Sequence, residues 1–174
     1  MRNVSLKVLL VLALLFAASY ARSAEGLVGK PAPDFTVKAV DGKDYSLGAL
    51  KGKVVWVNFW GLRCGPCVRE LPALQALYAK YVEKGLVILG VNADGVEADF
   101  IKKSFAERED LKSLNLTFPV ATDVEFKLID AYQLMGAPLN VMVDKAGVVQ
   151  YYHEGYEDGD EKHYEEVVVK LLAK

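Results

Sequence analysis

Cysteine and histidine are scarce in this chain, with two of each in 174 residues. Four such residues are too few for a Cys/His metal centre of standard composition. Excess charge of either sign is missing too. The 21 Lys and Arg side chains face 23 Asp and Glu, a balance that excludes a broad cationic surface for nucleic acid. There are no internal repeats, no low-complexity tract and no linker-like stretch between two folded parts, so one domain is expected. With 52% hydrophobic and 10% aromatic residues, extended disorder is excluded as well.

The one long apolar run is Val8 to Ala18. As a helix it would reach only about 16 Å, against roughly 30 Å of bilayer core. It follows Arg2 and Lys7 and precedes the small residues Ser19, Ala21, Ser23 and Ala24, with no acid before Glu25. That three-part order predicts a secretory signal peptide over residues 1–24, cleaved near 21–24, with an uncleaved membrane tether as the alternative. Residues 25–174 then form the folded domain. Export permits disulfide chemistry, which bears directly on how the two cysteines are read.

Along the remaining chain the apolar pattern alternates between strand and helix signals. Phe35–Val40 and Asp44–Leu47 flank the turn Asp41-Gly-Lys43. Val54–Trp60 and Leu86–Val91 are short apolar runs suited to strands buried on both faces. Between them, apolar spacing predicts a helix from Cys64 to about Glu83, kinked at Pro72. Residues 96–114 read as helical, with Phe100, Ile101, Phe105, Leu111 and Leu114 as the apolar stripe. Residues 118–121 read as extended and 125–134 as helical. A hairpin is expected from 140–143 and 148–152, and a last helix from Asp160, as N-cap, to Leu172. Strands separated by helices, closed by a hairpin, predict an α/β fold with a mixed sheet.

Both cysteines lie in the tetrapeptide Cys64-Gly-Pro-Cys67, after a predicted strand and at the start of a predicted helix. The unpaired N–H groups and partial positive charge of a helix N-terminus favour thiolate over thiol, and thiolate is the nucleophile. Cys64, nearer the free end, should be the more exposed. Cys67 lies one turn in, close enough to close a ring with it. Pro66 suits the first helical turn. Arg63 adds a cation; at about 6 Å it favours a thiolate by roughly 0.7–2.8 kcal/mol, unless it is simply a solvated side chain. The competing readings are an inert disulfide or half a zinc site, for which only His153, His163 and carboxylates remain. Val68 after Cys67 excludes a Cys-x-x-Cys-His haem attachment. No haem or metal is therefore expected on the cysteines, and no cofactor is implied. His153 and His163, in an acidic segment, read as surface residues.

In these features the chain resembles the exported TlpA/ResA-type thiol:disulfide oxidoreductases of the thioredoxin superfamily. The resemblance rests on Gly29-Lys-Pro-Ala-Pro-Asp-Phe35, Val57-Asn-Phe-Trp60 leading into Cys64-Gly-Pro-Cys67, Phe118-Pro119, Ala137-Pro138 and Gly155. It implies a thioredoxin-like fold, a central mixed β-sheet flanked by helices, with an N-terminal β-hairpin extension. It also implies that Cys64 attacks a substrate disulfide and Cys67 resolves the mixed disulfide. Pro138 matches the family's cis-proline, with Ala137 offering its backbone to a bound peptide, and Trp60 and Arg63 are the other candidate substrate contacts. Glu70, three residues past Cys67, matches a family glutamate; with a proton affinity raised by burial it would accept the Cys67 proton. The alternative for Glu70 is an exposed acid near a helix start.

The implied setting is periplasmic or otherwise extracytoplasmic, within redox homeostasis and cytochrome c biogenesis. The implied partners are a disulfide-containing exported protein, apocytochrome c among them, and a membrane thiol-electron donor. Gly65-Pro66 resembles the reducing thioredoxins, although direction is set by the relative stability of the two redox forms. Arg63 replaces the family's aromatic residue, Leu139 and Asn140 stand where Thr is common, and residues 95–117 form a longer crossover; all three departures fall around the docking surface. Two other classes stay open: a peroxiredoxin-like peroxidase, although Phe59–Arg63 lacks the Pro and Thr expected ahead of a peroxidatic cysteine, and a redox-inactive peptide-binding or chaperone module.

Overall fold

The computed structural model describes residues 26–174; the signal segment expected at 1–24 lies outside them. Among the described residues no helix is long and apolar enough to cross a membrane. The chain runs β1 (Thr36–Lys38), β2 (Asp44–Ser46), β3 (Val54–Trp60), α1 (Gly65–Tyr81), β4 (Leu86–Asn92), α2 (Ala98–Glu107), α3 (Glu109–Lys112), β5 (Val120–Thr122), α4 (Lys127–Ala131), β6 (Leu139–Val143), β7 (Val149–Glu154) and α5 (Asp160–Leu172). β1 and β2 form an antiparallel hairpin of their own. The other five strands make one mixed sheet in the order β5-β4-β3-β6-β7. β3, β4 and β5 are parallel to one another, β6 runs antiparallel to β3, and β7 runs antiparallel to β6.

β3 is buried at all seven positions, as a central strand covered on both faces must be. Its period of two divides the core. Val54, Trp56 and Trp60 join α1 and α5 on one face. Val55, Val57 and Phe59 pack with Tyr132, Leu139 and Val141 on the other. The entry segment guards the sheet's open edges: Gly29 N–H donates to the Val149 carbonyl (2.8 Å) on β7, and Val40 N–H to the Val120 carbonyl (2.7 Å) on β5. Paired edges cannot template a second chain.

α1 buries Cys67, Leu71, Leu74, Leu77 and Tyr81 along a single stripe, and each fully buried Leu is worth about 1.5–3 kcal/mol. It continues through Pro72 and ends in a 3-10 turn at Gly85, whose φ of 102° suits glycine. Gly90, mid-strand in β4, marks a close approach: a Cβ there would sit 3.0 Å from Phe118 Cε2 and 3.5 Å from Trp60 Nε1, and both rings are buried. Gly90→Ala is expected to destabilise the fold by about 1–3 kcal/mol through overpacking, read as a lower urea midpoint. An unchanged midpoint would mean these rings can move aside.

Several expectations are corrected. The stretch 96–114 is two helices, broken at Arg108, which is extended (φ −88°, ψ 117°). Phe100 does not face the core but is 53% exposed. The helix expected over 125–134 is a short turn of helix, Lys127–Ala131. Asp160 is not the N-cap; Gly159 holds that position, and Asp160 Oδ2 accepts the Glu157 N–H (2.8 Å). His153 is only half-exposed and sits 3.6 Å from the Asp160 carboxylate.

Candidate active site

β3 delivers the chain to the Cys64 loop, and α1 begins directly after it. Cys64 occupies the N-cap, extended at φ −86° and ψ 100°, and its Sγ accepts the Cys67 N–H at 3.2 Å. The helix end thus directs an unpaired donor at this sulfur. The two sulfurs are joined in a disulfide with Cα atoms 5.2 Å apart. Cys64 is half-exposed, whereas Cys67 is fully buried. Pro66 lies in the first helical turn.

Across from the pair stands the loop before β6. Its Ala137–Pro138 peptide is cis. Ala137 is exposed, and its carbonyl oxygen lies 3.5 Å from Cys64 Sγ. Gly155, at φ 90°, donates its N–H to the Pro138 carbonyl (2.7 Å). Glu154 accepts the Met135 N–H (3.1 Å), so the end of β7 and the residue after it support the loop at two points. Met135 itself is 76% exposed.

Glu70 lies one turn beyond Cys67 on the buried face of α1, not at the surface. Two amides bind its carboxyl. Asn58 Nδ2 donates to Oε2 (2.9 Å) and Asn140 Nδ2 donates to Oε1 (2.6 Å), while the Tyr164 hydroxyl, which accepts from the same Asn140 amide (3.3 Å), lies beside it. Asn58 and Asn140 are register partners on β3 and β6 and share the face under α1. Burial raises the Glu70 proton affinity to a pKa of about 7, outweighing the surrounding hydrogen-bonding groups, which act the other way.

Arg63 is exposed beside Cys64 and borders an open cleft of about 450 Å³ with Leu62, Val96, Phe100 and Arg108. Trp60, expected to touch substrate, is wholly buried under the site; it packs against Phe105 and presents nothing to the surface. Sequence reasoning passed over two charged residues that hold the loop. Asp94 accepts the Leu62 N–H (2.7 Å), and Arg108 Nη1 donates to the Leu62 carbonyl (2.6 Å). It also gave Asn58 and Tyr164 no role. The available signal was a polar residue inside an apolar strand at the α1-facing parity.

A disulfide with one sulfur open to solvent and the other sealed is suited to exchange rather than to bracing a fold, and on this sheet it defines a thioredoxin-like thiol:disulfide oxidoreductase. Comparison with known proteins makes the assignment specific. The chain belongs to the AhpC/TSA family, whose profile matches residues 28–152. It is 40% identical over 135 residues to the thiol-disulfide oxidoreductase ResA of Bacillus cereus, covering 78% of this chain and 74% of that protein. ResA of Halalkalibacterium halodurans is 34% identical over 127 residues, 73% of this chain and 68% of the relative. Among solved structures, a thiol:disulfide interchange protein of Chlorobium tepidum superposes with a TM-score of 0.69 at 26% identity, covering 82% of this chain and 95% of the other. The exposed lipoprotein thioredoxin of Streptococcus pneumoniae does so at 0.67 and 30% identity, over 80% and 100%.

Proposed function

We propose that the chain is an exported reductant of protein disulfides in which Cys64 attacks, Cys67 resolves and Glu70 carries the proton between. The observation that carries this reading is the half-exposed Cys64 sulfur at the start of α1, bonded to a sealed partner and facing the Ala137–Pro138 loop. Starting from the dithiol, the Cys64 thiolate attacks one sulfur of a substrate disulfide. A Cys64–substrate bond forms, the substrate S–S bond breaks, and one substrate thiolate leaves. Glu70 takes the Cys67 proton, and the Cys67 thiolate attacks Cys64 Sγ. The Cys64–Cys67 bond forms as the second substrate thiolate departs. Two electrons have moved to the substrate, and the oxidised pair is the product state.

Around this chemistry, Ala137 offers its exposed backbone to an extended substrate segment, and Arg63 stabilises the Cys64 thiolate and the incoming chain. Regeneration needs an external dithiol donor, in keeping with a membrane thiol-electron donor. Oxidised apocytochrome c in an extracytoplasmic compartment is the substrate that the family resemblance implies, and the leader expected at 1–24 supplies the route of export.

The test is capture. Full-length Cys67→Ser, expressed in its own exported compartment, is expected to accumulate a mixed disulfide through Cys64, seen as a higher-mass band that dithiothreitol abolishes. Sequencing the free protein should give a start between residues 22 and 25. Absence of the band, or its persistence when Cys64 is also replaced, would overturn the assignment of roles.

A further inference from the structure

The seat of Glu70 has only one consistent arrangement of hydrogens. Asn140 Oδ1 accepts from Trp56 Nε1 (2.8 Å) and Asn58 Nδ2 (3.0 Å). Turned over, the Asn140 amide would set its NH2 against two donors. Its Nδ2 therefore faces the other way, toward Glu70 Oε1 (2.6 Å) and the Tyr164 hydroxyl oxygen (3.3 Å). Asn58 is fixed by the same logic, since its Nδ2 lies between two acceptors, Glu70 Oε2 and Asn140 Oδ1. Both amides thus present only donors to the carboxyl. They suit a carboxylate and give no acceptor for the O–H of the protonated acid. Tyr164 is the exception, because a hydroxyl both donates and accepts.

The remaining groups around the seat cannot take this part. On α1, Cys67 is the thiol being served. Asp160, at the start of α5, repels the Glu70 charge without bonding to it. Tyr151 on β7 and Tyr156 beyond it feel Glu70 only through charge. His153 is turned toward Asp160, 3.6 Å away, with its ring edge against Tyr164.

We propose that Asn140 and Tyr164 are positioning residues for Glu70: Asn140 fixes the seat of the carboxyl, and the Tyr164 hydroxyl reverses to accept the acid's hydrogen bond each time Glu70 takes a proton. This rests on the reading of Glu70 as the base in resolution. It also links proton handling to docking, because Asn140, near the start of β6, lies two residues past Pro138 in the loop that precedes the strand.

Two measurements separate this inference from that reading. In oxidised full-length protein, where no thiol titrates, the Glu70 side-chain carboxyl is followed by 13C NMR across pH. Tyr164→Phe, which keeps the ring and removes the hydroxyl beside the carboxylate, is expected to raise the titration midpoint by about one pH unit. Asn140→Asp, which sets a second carboxyl against the first, should raise it further. In reduced protein mixed with dithionitrobenzoate, release of the second thionitrobenzoate reports attack of Cys67 on the mixed disulfide. That step should slow about tenfold in Tyr164→Phe at pH about 6 and approach the wild-type rate by pH about 9. Midpoints and rate profiles that superimpose on wild type in both variants would overturn the inference. Moved midpoints, together with wild-type resolution by Glu70→Gln, would support the seat and instead sink the role of Glu70 as base.

Discussion

Cys64→Ser is expected to lower dithiothreitol-driven insulin reduction by at least about a thousandfold, to the uncatalysed background. A serine hydroxyl at this position has no neighbouring base to ionise it, and the helix N-terminus cannot bring its pKa near neutrality as it can a thiol's. The geometry also predicts how the loss differs between the two cysteines. Cys64 is half-exposed, while Cys67 is wholly buried in the core cluster that includes Leu71, Leu74 and Trp56. In reduced protein a single equivalent of iodoacetamide should therefore attach at Cys64. Cys67→Ser should keep that first reaction and lose turnover, because the mixed disulfide has no resolving sulfur. Equal alkylation of the two positions, or insulin reduction by Cys64→Ser at a measurable fraction of wild type, would contradict the asymmetry on which the mechanism depends.

Much of this architecture is legible in the sequence because its signals are local. The apolar run Val54–Trp60 is the central strand residue for residue, and the final helix runs from Asp160 to Leu172 as its pattern predicts. The cysteine pair at a strand-to-helix junction needs only the order of elements, and the cis peptide at Pro138 is implied by family resemblance. What escapes depends on register or on distant partners. Asn58 looks like an interruption of a hydrophobic strand until β6 is set beside it and Asn140 is found directly opposite. The break at Arg108 follows from no local signal; there the guanidinium reaches Leu62, 46 positions away in sequence, while the backbone opens between two helices. Trp60 is close to Cys64 in sequence, but that nearness says nothing about exposure. Strand parity turns its ring inward under α1 and α2, where Phe105 covers it.

The seat of Glu70 also predicts how stability depends on pH. Its carboxyl moves from an ordinary 4.5 to about 7 in the fold, so the native state holds the proton more tightly than the unfolded chain. The contribution this makes is fully present below about 4.5. It diminishes as the unfolded state ionises and is gone once pH has risen through the folded value near 7. A difference of that size corresponds to about 3 kcal/mol, a large part of the 5–15 kcal/mol typical of a domain. Other carboxylates act in the opposite sense at the acid end: Asp110 is held below its usual range by Arg108, and Glu165 by Lys80 and Tyr81. The clean quantity is therefore the difference between the oxidised wild type and Glu70→Gln, in which those groups cancel. The amide introduced by Glu70→Gln would resemble the protonated acid in shape and charge at every pH. Urea unfolding should find the variant gaining on wild type by up to about 3 kcal/mol between pH 5 and 9, with most of the gain before pH 7. A difference that stays flat across that range would mean the carboxyl is no harder to ionise in the fold than in the open chain, and the low polarity assigned to its seat between α1 and the sheet would be wrong.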